Sequence, residues 1–291
     1  MSQAGSGNRS VERQLGAANA PGSRRSAASD VIERAVAVLT PFSGIMILFL
    51  LWQMSTSVFA IPDYLLPSPV AVFSRLLRDW RMLADNAFQT ILEVCIGFFA
   101  SIAIGLPIAF ALVLNRTLER IVMPMLVASQ AIPKVAIAPI LVIWLGFGLF
   151  PKVAISFLIA FFPVVVSTVT GLKSVETDMI DLVRSMGAGT ARIMLKVRLP
   201  AALPQIFAGL KVAICMAVVG AIVGEFVGAD KGLGYILLTA TGTLDGPLVW
   251  AALLILVAVG ITLYQIVAQI ERASIRWHVS VRADDQKIFT S

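Results

Sequence analysis

The side chains most able to do chemistry are Glu93, Lys134, Lys211 and Glu225, each set inside a long apolar stretch, with Asp230, Gly224, Gly228, Gly232 and Gly234 gathered around the last of them. A charge in an apolar medium is costly unless it faces protein or water, so such groups point to a polar path, a gate or a buried ion pair. Glu93 stands close enough to the outer end of its stretch to snorkel. Pro133 removes a backbone donor and should break its helix, and Lys134 beside it is placed to serve the freed carbonyls or to attract an anionic solute. Lys211, about one turn into its stretch, reads as snorkelling, and Glu225 with Asp230 reads as a gate or a glycine-rich polar turn near the outer surface.

Other chemistry is excluded. His278 is the only histidine, against a zinc centre or a histidine-based triad. Cys95 and Cys215 lie in apolar stretches without CxxC or Cys/His spacing, as two reduced, buried small hydrophobes. No HExxH, paired intramembrane aspartates or GxxxxGK[ST] loop occurs, so neither catalysis, a resident metal or cofactor, nor ATP binding by this chain is expected. Met179, Met186 and Met194 read as interface or core filling.

The elements around these residues must be membrane spans. Of 291 residues 58% are hydrophobic and 14% charged, with mean hydropathy +0.89. A soluble domain carries about 25% charged residues, and this chain has more apolar surface than one water-soluble core could hide. Six spans are predicted at about 36–57, 88–114, 121–147, 152–171, 206–227 and 247–268. The first is too long for a signal-peptide core, despite Val58-Phe59-Ala60. A polar tail over 1–34 reads as disordered, and 271–291 as a second tail. Pro69 opens an amphipathic helix over 69–83, with Val72, Phe73, Leu76 and Trp80 on one side and Arg75, Arg78 and Arg81 on the other.

A net charge of +6 could suggest nucleic acid, but the basic residues fall between apolar stretches rather than in one groove. With a cytoplasmic N-terminus, sixteen Lys and Arg lie inside against five outside (Arg75, Arg78, Arg81, Lys152 and Lys231). Both termini, and the long polar segment 173–204, are therefore expected in the cytoplasm. Within that segment Ile180, Val183 and Met186 share one helical face, and Ala191, Met194 and Leu195 another, on either side of Gly187-Ala188-Gly189. Two short helices joined by a glycine corner fit this, and an apolar face there needs a partner to cover it.

The spacing resembles the coupling-loop signature of ABC importer permeases, Glu-Ala-Ala, three residues, Gly, nine residues, Ile, one residue, Leu-Pro. Asp181, Leu182 and Val183 stand at the first triplet, Gly187 at the glycine, Val197 at the isoleucine, and Leu199 and Pro200 at the final pair. Leu182 and Val183 are bulkier than alanine and Asp181 is shorter than Glu. Leu66-Pro67-Ser68-Pro69, Ala131-Ile132-Pro133-Lys134, Trp144 to Gly148, Phe162-Pro163 and Glu225 followed by Gly232-Leu233-Gly234 are similar to the nitrate, sulfonate and taurine branch, which includes permeases for thiamine-pyrimidine precursors. The resemblance implies an all-α polytopic membrane protein of six transmembrane helices with the MetI-like fold of type I importers, in a bacterial inner membrane. It implies a second copy of the chain as partner, cytoplasmic ATPase subunits that use the ATP, and an extracytoplasmic solute-binding protein. Asp181 would then be an ATPase contact or a solvated helix charge, and Glu93, Pro133, Lys134 and Glu225 candidates for the translocation path. The rival reading is a secondary transporter or channel run by an ion gradient.

Overall fold

The computed structural model describes Gly44, residues 46–59 and residues 61–275. The chain falls into two units, Met1–Ala60 and Ile61–Ser291. In the first, the described helix is α1 (Met46–Val58), apolar but shorter than the ~20 residues of a bilayer crossing. The tail at 1–34, residues 36–43 and 45 of the first expected span, and the C-terminal tail from 276 on, His278 included, lie outside the described residues.

The second unit runs α2 (Pro69–Arg78), α3 (Trp80–Leu114), α4 (Arg116–Ser129), α5 (Lys134–Leu145), α6 (Leu149–Lys173), α7 (Thr177–Ser185), α8 (Thr190–Ile193), a π-helical turn Met194–Arg198, α9 (Leu199–Gly228), α10 (Leu233–Gly242) and α11 (Gly246–Ser274). No strand forms among the described residues. Among the described residues four helices are long and apolar enough to cross a membrane: α3, α6, α11, and α9 with the turns before it, Thr190–Gly228. The pair α4 and α5, bent by 95°, is apolar enough only when taken together, as a broken span or a re-entrant loop. These four helices and the bent pair overlap five of the six expected spans, and α1 overlaps part of the first.

The amphipathic helix is shorter than expected. Ser68 caps α2 by accepting from the Ala71 N–H at 3.2 Å, but the helix stops at Arg78 and Trp80 already belongs to α3. Arg75 explains the corner, since its guanidinium holds Asp79 at 3.0 Å and Asp245 at 2.7 Å. Asp245 in turn caps α11, so this ion pair ties the ends of three helices.

The core is three helices in one fixed register. Glu93, Gly97 and Gly105 of α3 face Lys152, Ser156 and Val164 of α6, each partner equally far along, so the two run parallel. Gly224, Gly220 and Gly209 of α9 face Lys152, Ser156 and Ser167 in the opposite order, so α9 runs antiparallel to α6. Small residues let the backbones approach closely, the usual basis of packing where lipid gives no hydrophobic drive between helices. The Ser156 hydroxyl also donates to the Ala217 carbonyl at 3.0 Å. Val94, Phe98, Ala160, Val164, Ala213 and Ala217 fill the seam. A methyl group on Gly220 would lie 2.6 Å from Ser156 Cα, which is backbone and cannot swing aside. Gly220→Ala is therefore expected to lower stability by about 1–3 kcal/mol, read as an earlier loss of monodisperse protein on heating in detergent; unchanged heat resistance would mean the seam is looser than described.

The break between α4 and α5 falls at Pro133, which caps α5 with φ −63° and ψ 102°. Helix α4 buries none of its side chains, and α5 buries only Val142 and Ala138, the latter against Ile155 and Val223. This broken pair is held far less tightly than the α3–α6–α9 seam.

Candidate functional site

The chain carries two sites of interest, one at each end of the bundle. At the first end α7 projects from the seam, packing inward through Ile180 while Met179, Leu182 and Met186 stand exposed. Its end is a Schellman turn: the Gly187 N–H donates to the Arg184 carbonyl at 2.9 Å and the Ala188 N–H to the Val183 carbonyl at 3.3 Å. Gly187 takes φ 84°, a left-handed conformation costly for L side chains, and a methyl there would meet nothing within 4 Å. Conformation rather than space demands glycine, and the three-residue gap between Val183 and Gly187 is what this hydrogen-bond pattern needs. Asp181 is exposed and pairs with Arg184 at 3.2 Å, a surface contact worth little in itself.

Beyond the corner the structure departs from two separate short helices. The α8 turn runs through the π segment into α9 as one continuous rod. Pro200 lacks the N–H that would continue an α-helical ladder, and the backbone widens ahead of it, the Leu199 N–H reaching back to the Met194 carbonyl. Leu199 packs with Leu172, Met194, Ala202 and Ile206. Val197, Leu199 and Pro200 are thus the root of the projecting segment, joined rigidly to a long spanning helix.

At the opposite end Glu93 and Lys152 form a fully buried ion pair at 2.5 Å, against the expectation that Glu93 snorkels and Lys152 sits in a connecting loop. The register of α3 against α6 is the cause. The Gln89 amide also donates to Glu93 Oε1, at 2.9 Å. Glu225, equally buried, meets the Glu93 side chain and is held by the Thr90 hydroxyl at 2.6 Å and by the Gly234 N–H at 2.5 Å. Thr90 accepts from the Leu233 N–H at 2.9 Å, and Asn86 Oδ1 from the Gly232 N–H at 2.7 Å. Glu225 therefore receives the start of α10, a helix where the sequence suggested only a polar turn. Gly232, at φ 123°, lies so close that any side chain would run into the Glu225 carboxyl.

The structure thus brings Glu93 and Glu225 together and adds Lys152 and Thr90, which the sequence did not single out. Pro133 and Lys134 make none of this cluster's polar contacts. Lys134 donates to the Gln130 side chain across the break rather than to freed carbonyls. Lys211 pairs with Glu271 at 2.7 Å instead of snorkelling alone, and Cys215 is exposed rather than buried.

Two open clefts flank the corner between α9 and α10. One, about 780 Å³, includes Asp85, Asn86, Gln89 and Lys231 among apolar neighbours such as Met82, Phe88 and Leu248. The other, about 590 Å³, is lined by Phe147, Phe226 and Tyr235 with Glu225 and Asp230.

A bundle of apolar helices of membrane length, with a buried charged cluster at one end and a projecting helical turn at the other, fits a membrane protein that docks a partner. The chain belongs to the family of binding-protein-dependent transport system inner membrane components, whose model matches residues 101–276. It is 39% identical over 229 residues to a probable ABC transporter permease protein of Haemophilus influenzae, covering 79% of this chain and 94% of that protein. It is 36% identical over 251 residues to the formylaminopyrimidine transport permease protein ThiX of Halalkalibacterium halodurans, covering 84% and 98%. Identity to the taurine transport permease protein TauC of Escherichia coli is 27% over 247 residues, covering 81% and 88%. A structure of the MetNI methionine ABC transporter, inward-facing, shares the fold with TM-score 0.59 at 24% identity, covering 67% of this chain and 97% of that one. The resemblance noted in the sequence therefore holds: this is an ABC transporter permease subunit with the MetI-like helical fold, and not an enzyme.

Proposed function

We propose that the chain is the translocation subunit of an ATP-driven importer, working as two copies with both termini cytoplasmic. Cytoplasmic ATPase subunits dock on the exposed face of α7, and a solute-binding protein delivers a small polar solute at the Glu225 end. The observation that carries this reading is the α7 turn: three large apolar side chains presented outward on a helix whose end is fixed by Gly187 and whose root is continuous with α9. ATP is spent by the partner, and movement of its docking groove is transmitted through the rod Thr190–Gly228. Among the branch's solutes, the higher identity to ThiX than to TauC favours the pyrimidine-precursor class over sulfonates.

The docking face is tested by Leu182→Glu with Met186→Glu. Both residues are exposed, so the variant is expected to insert normally, while the amount of P-loop ATPase co-purified in mild detergent and identified by mass spectrometry falls about tenfold, the equivalent of ~1.4 kcal/mol. Equal recovery of ATPase with variant and wild type would remove α7 as the docking site.

A further inference from the structure

The aromatic cleft beside the α9–α10 corner has no part in the coupling argument, and its walls are specific. We propose that this cleft contacts the transported solute directly and accepts a flat, nitrogen-containing ring that is neutral or cationic, rejecting anions. The proposal rests on the importer reading and deepens it.

Its volume, about 590 Å³, lies within the ~300–1,000 Å³ of small-molecule sites. Three aromatic side chains reach it from separate elements: Phe147 from the turn between α5 and α6, Phe226 from the end of α9, and Tyr235 from α10. The turn is built to present its ring. Gly146 at φ 77° and Gly148 at φ 129° hold Phe147 outward at 83% exposure, and Gly228 lets the ring lie close, since a methyl there would touch it at 3.4 Å. Aromatic faces of this kind take planar rings by offset stacking, or cationic rings by cation–π attraction.

The charge of the walls decides between solute classes. Glu225 and Asp230 line the cleft and no Lys or Arg does; Lys231 lines only the neighbouring cleft. Both Glu225 oxygens are engaged by Thr90 and Gly234, but Asp230 is exposed and takes part in no ion pair among the described residues. Asp230 can therefore accept from a ring N–H or an amino substituent. A sulfonate or nitrate would approach the Asp230 carboxylate with no cation in the lining to offset the like-charge repulsion, which is stronger in a sheltered cleft than in bulk water.

The test is occupancy of the cleft, read without ATP. In the purified permease with its ATPase and binding protein in lipid nanodiscs, Leu238→Cys, an exposed position on the cleft wall outside the three rings and Asp230, is labelled with a maleimide, after subtracting the parent's background from Cys95 and Cys215. Millimolar formylaminopyrimidine is expected to slow labelling at least fivefold and millimolar taurine to leave it unchanged. Asp230→Lys, at an exposed position, is expected to abolish the protection by formylaminopyrimidine. Protection by taurine instead, protection by neither, or a cysteine already shielded by a second copy in the absence of solute would overturn the proposal. ATP-driven uptake of formylaminopyrimidine by the same wild-type complex is measured in parallel: uptake without protection sinks the cleft and spares the importer reading, while protection without ATP-dependent uptake does the reverse.

Discussion

Lys152→Met is expected to cost about 3–5 kcal/mol of stability, the largest effect of any single substitution considered for this chain. The change removes the one cation from a site that buries two carboxyl groups, and a partner left behind in a buried ion pair is penalised far more than the intact pair is rewarded. Four elements meet there: α3 through Glu93 and Thr90, α6 through Lys152, α9 through Glu225, and α10 through the N–H groups of Leu233 and Gly234. The loss should therefore loosen the whole Glu225 end of the seam, read as a sharp fall in monodisperse protein recovered after heating in detergent. The account makes a second demand on the same residues. Pairing Lys152→Met with Glu93→Gln removes the uncompensated charge at nearly constant volume, and most of the lost heat resistance should return. A single variant as stable as the wild type, or a double variant no better than the single, would mean the cluster does not hold these helices together.

Gly187→Val should act without unfolding anything. The position has open space around it, so the penalty is conformational: about 1–2 kcal/mol for an L residue held left-handed, and more for a β-branched one. The cheapest relief is to open the Schellman turn, freeing the Gly187 and Ala188 N–H groups and letting α7 swing relative to α9. A lever with a loose corner transmits little, so ATP hydrolysis by the assembled complex should continue while solute uptake falls about tenfold or more. Asn, which enters the left-handed region more readily than other side chains, should restore part of the uptake. Full uptake by Gly187→Val would show that the corner's geometry does not matter to transport.

How much of this was legible in the sequence depends on how local each feature is. Gly187, four residues after Val183, announces its turn because a Schellman motif is written within six residues, and Pro133 marks the break because a proline disrupts its own helix. Composition was enough for a bundle of spans. What stayed hidden was register. Glu93 and Lys152 are partners only because α3 and α6 run parallel through Gly97 and Gly105, and nothing near Lys152 reveals this; next to Pro151, it looked like a loop cation. The same non-local pairing hid Lys211 with Glu271. The α10 helix was missed for a different reason: ten residues opened by Gly232 and Gly234 carry a turn-like sequence, and the helix is anchored by Glu225 rather than by a cap of its own. The extension of α9 back to Thr190 was concealed by Pro200, which ordinarily starts a helix and here sits behind a π turn.

If solute crosses through this chain at the expense of ATP hydrolysed by a separate subunit docked on α7, transport needs ATP and that docking face but no ion gradient. The most direct measurement is uptake of formylaminopyrimidine into proteoliposomes containing the purified permease, its co-purified ATPase and its binding protein, with ATP supplied on the ATPase side and ionophores collapsing every ion gradient. The account predicts ATP-dependent accumulation that survives the ionophores and is lost when Leu182 and Met186 are both changed to Glu. Uptake that ignores ATP, persists in that variant and disappears with the ionophores would contradict it.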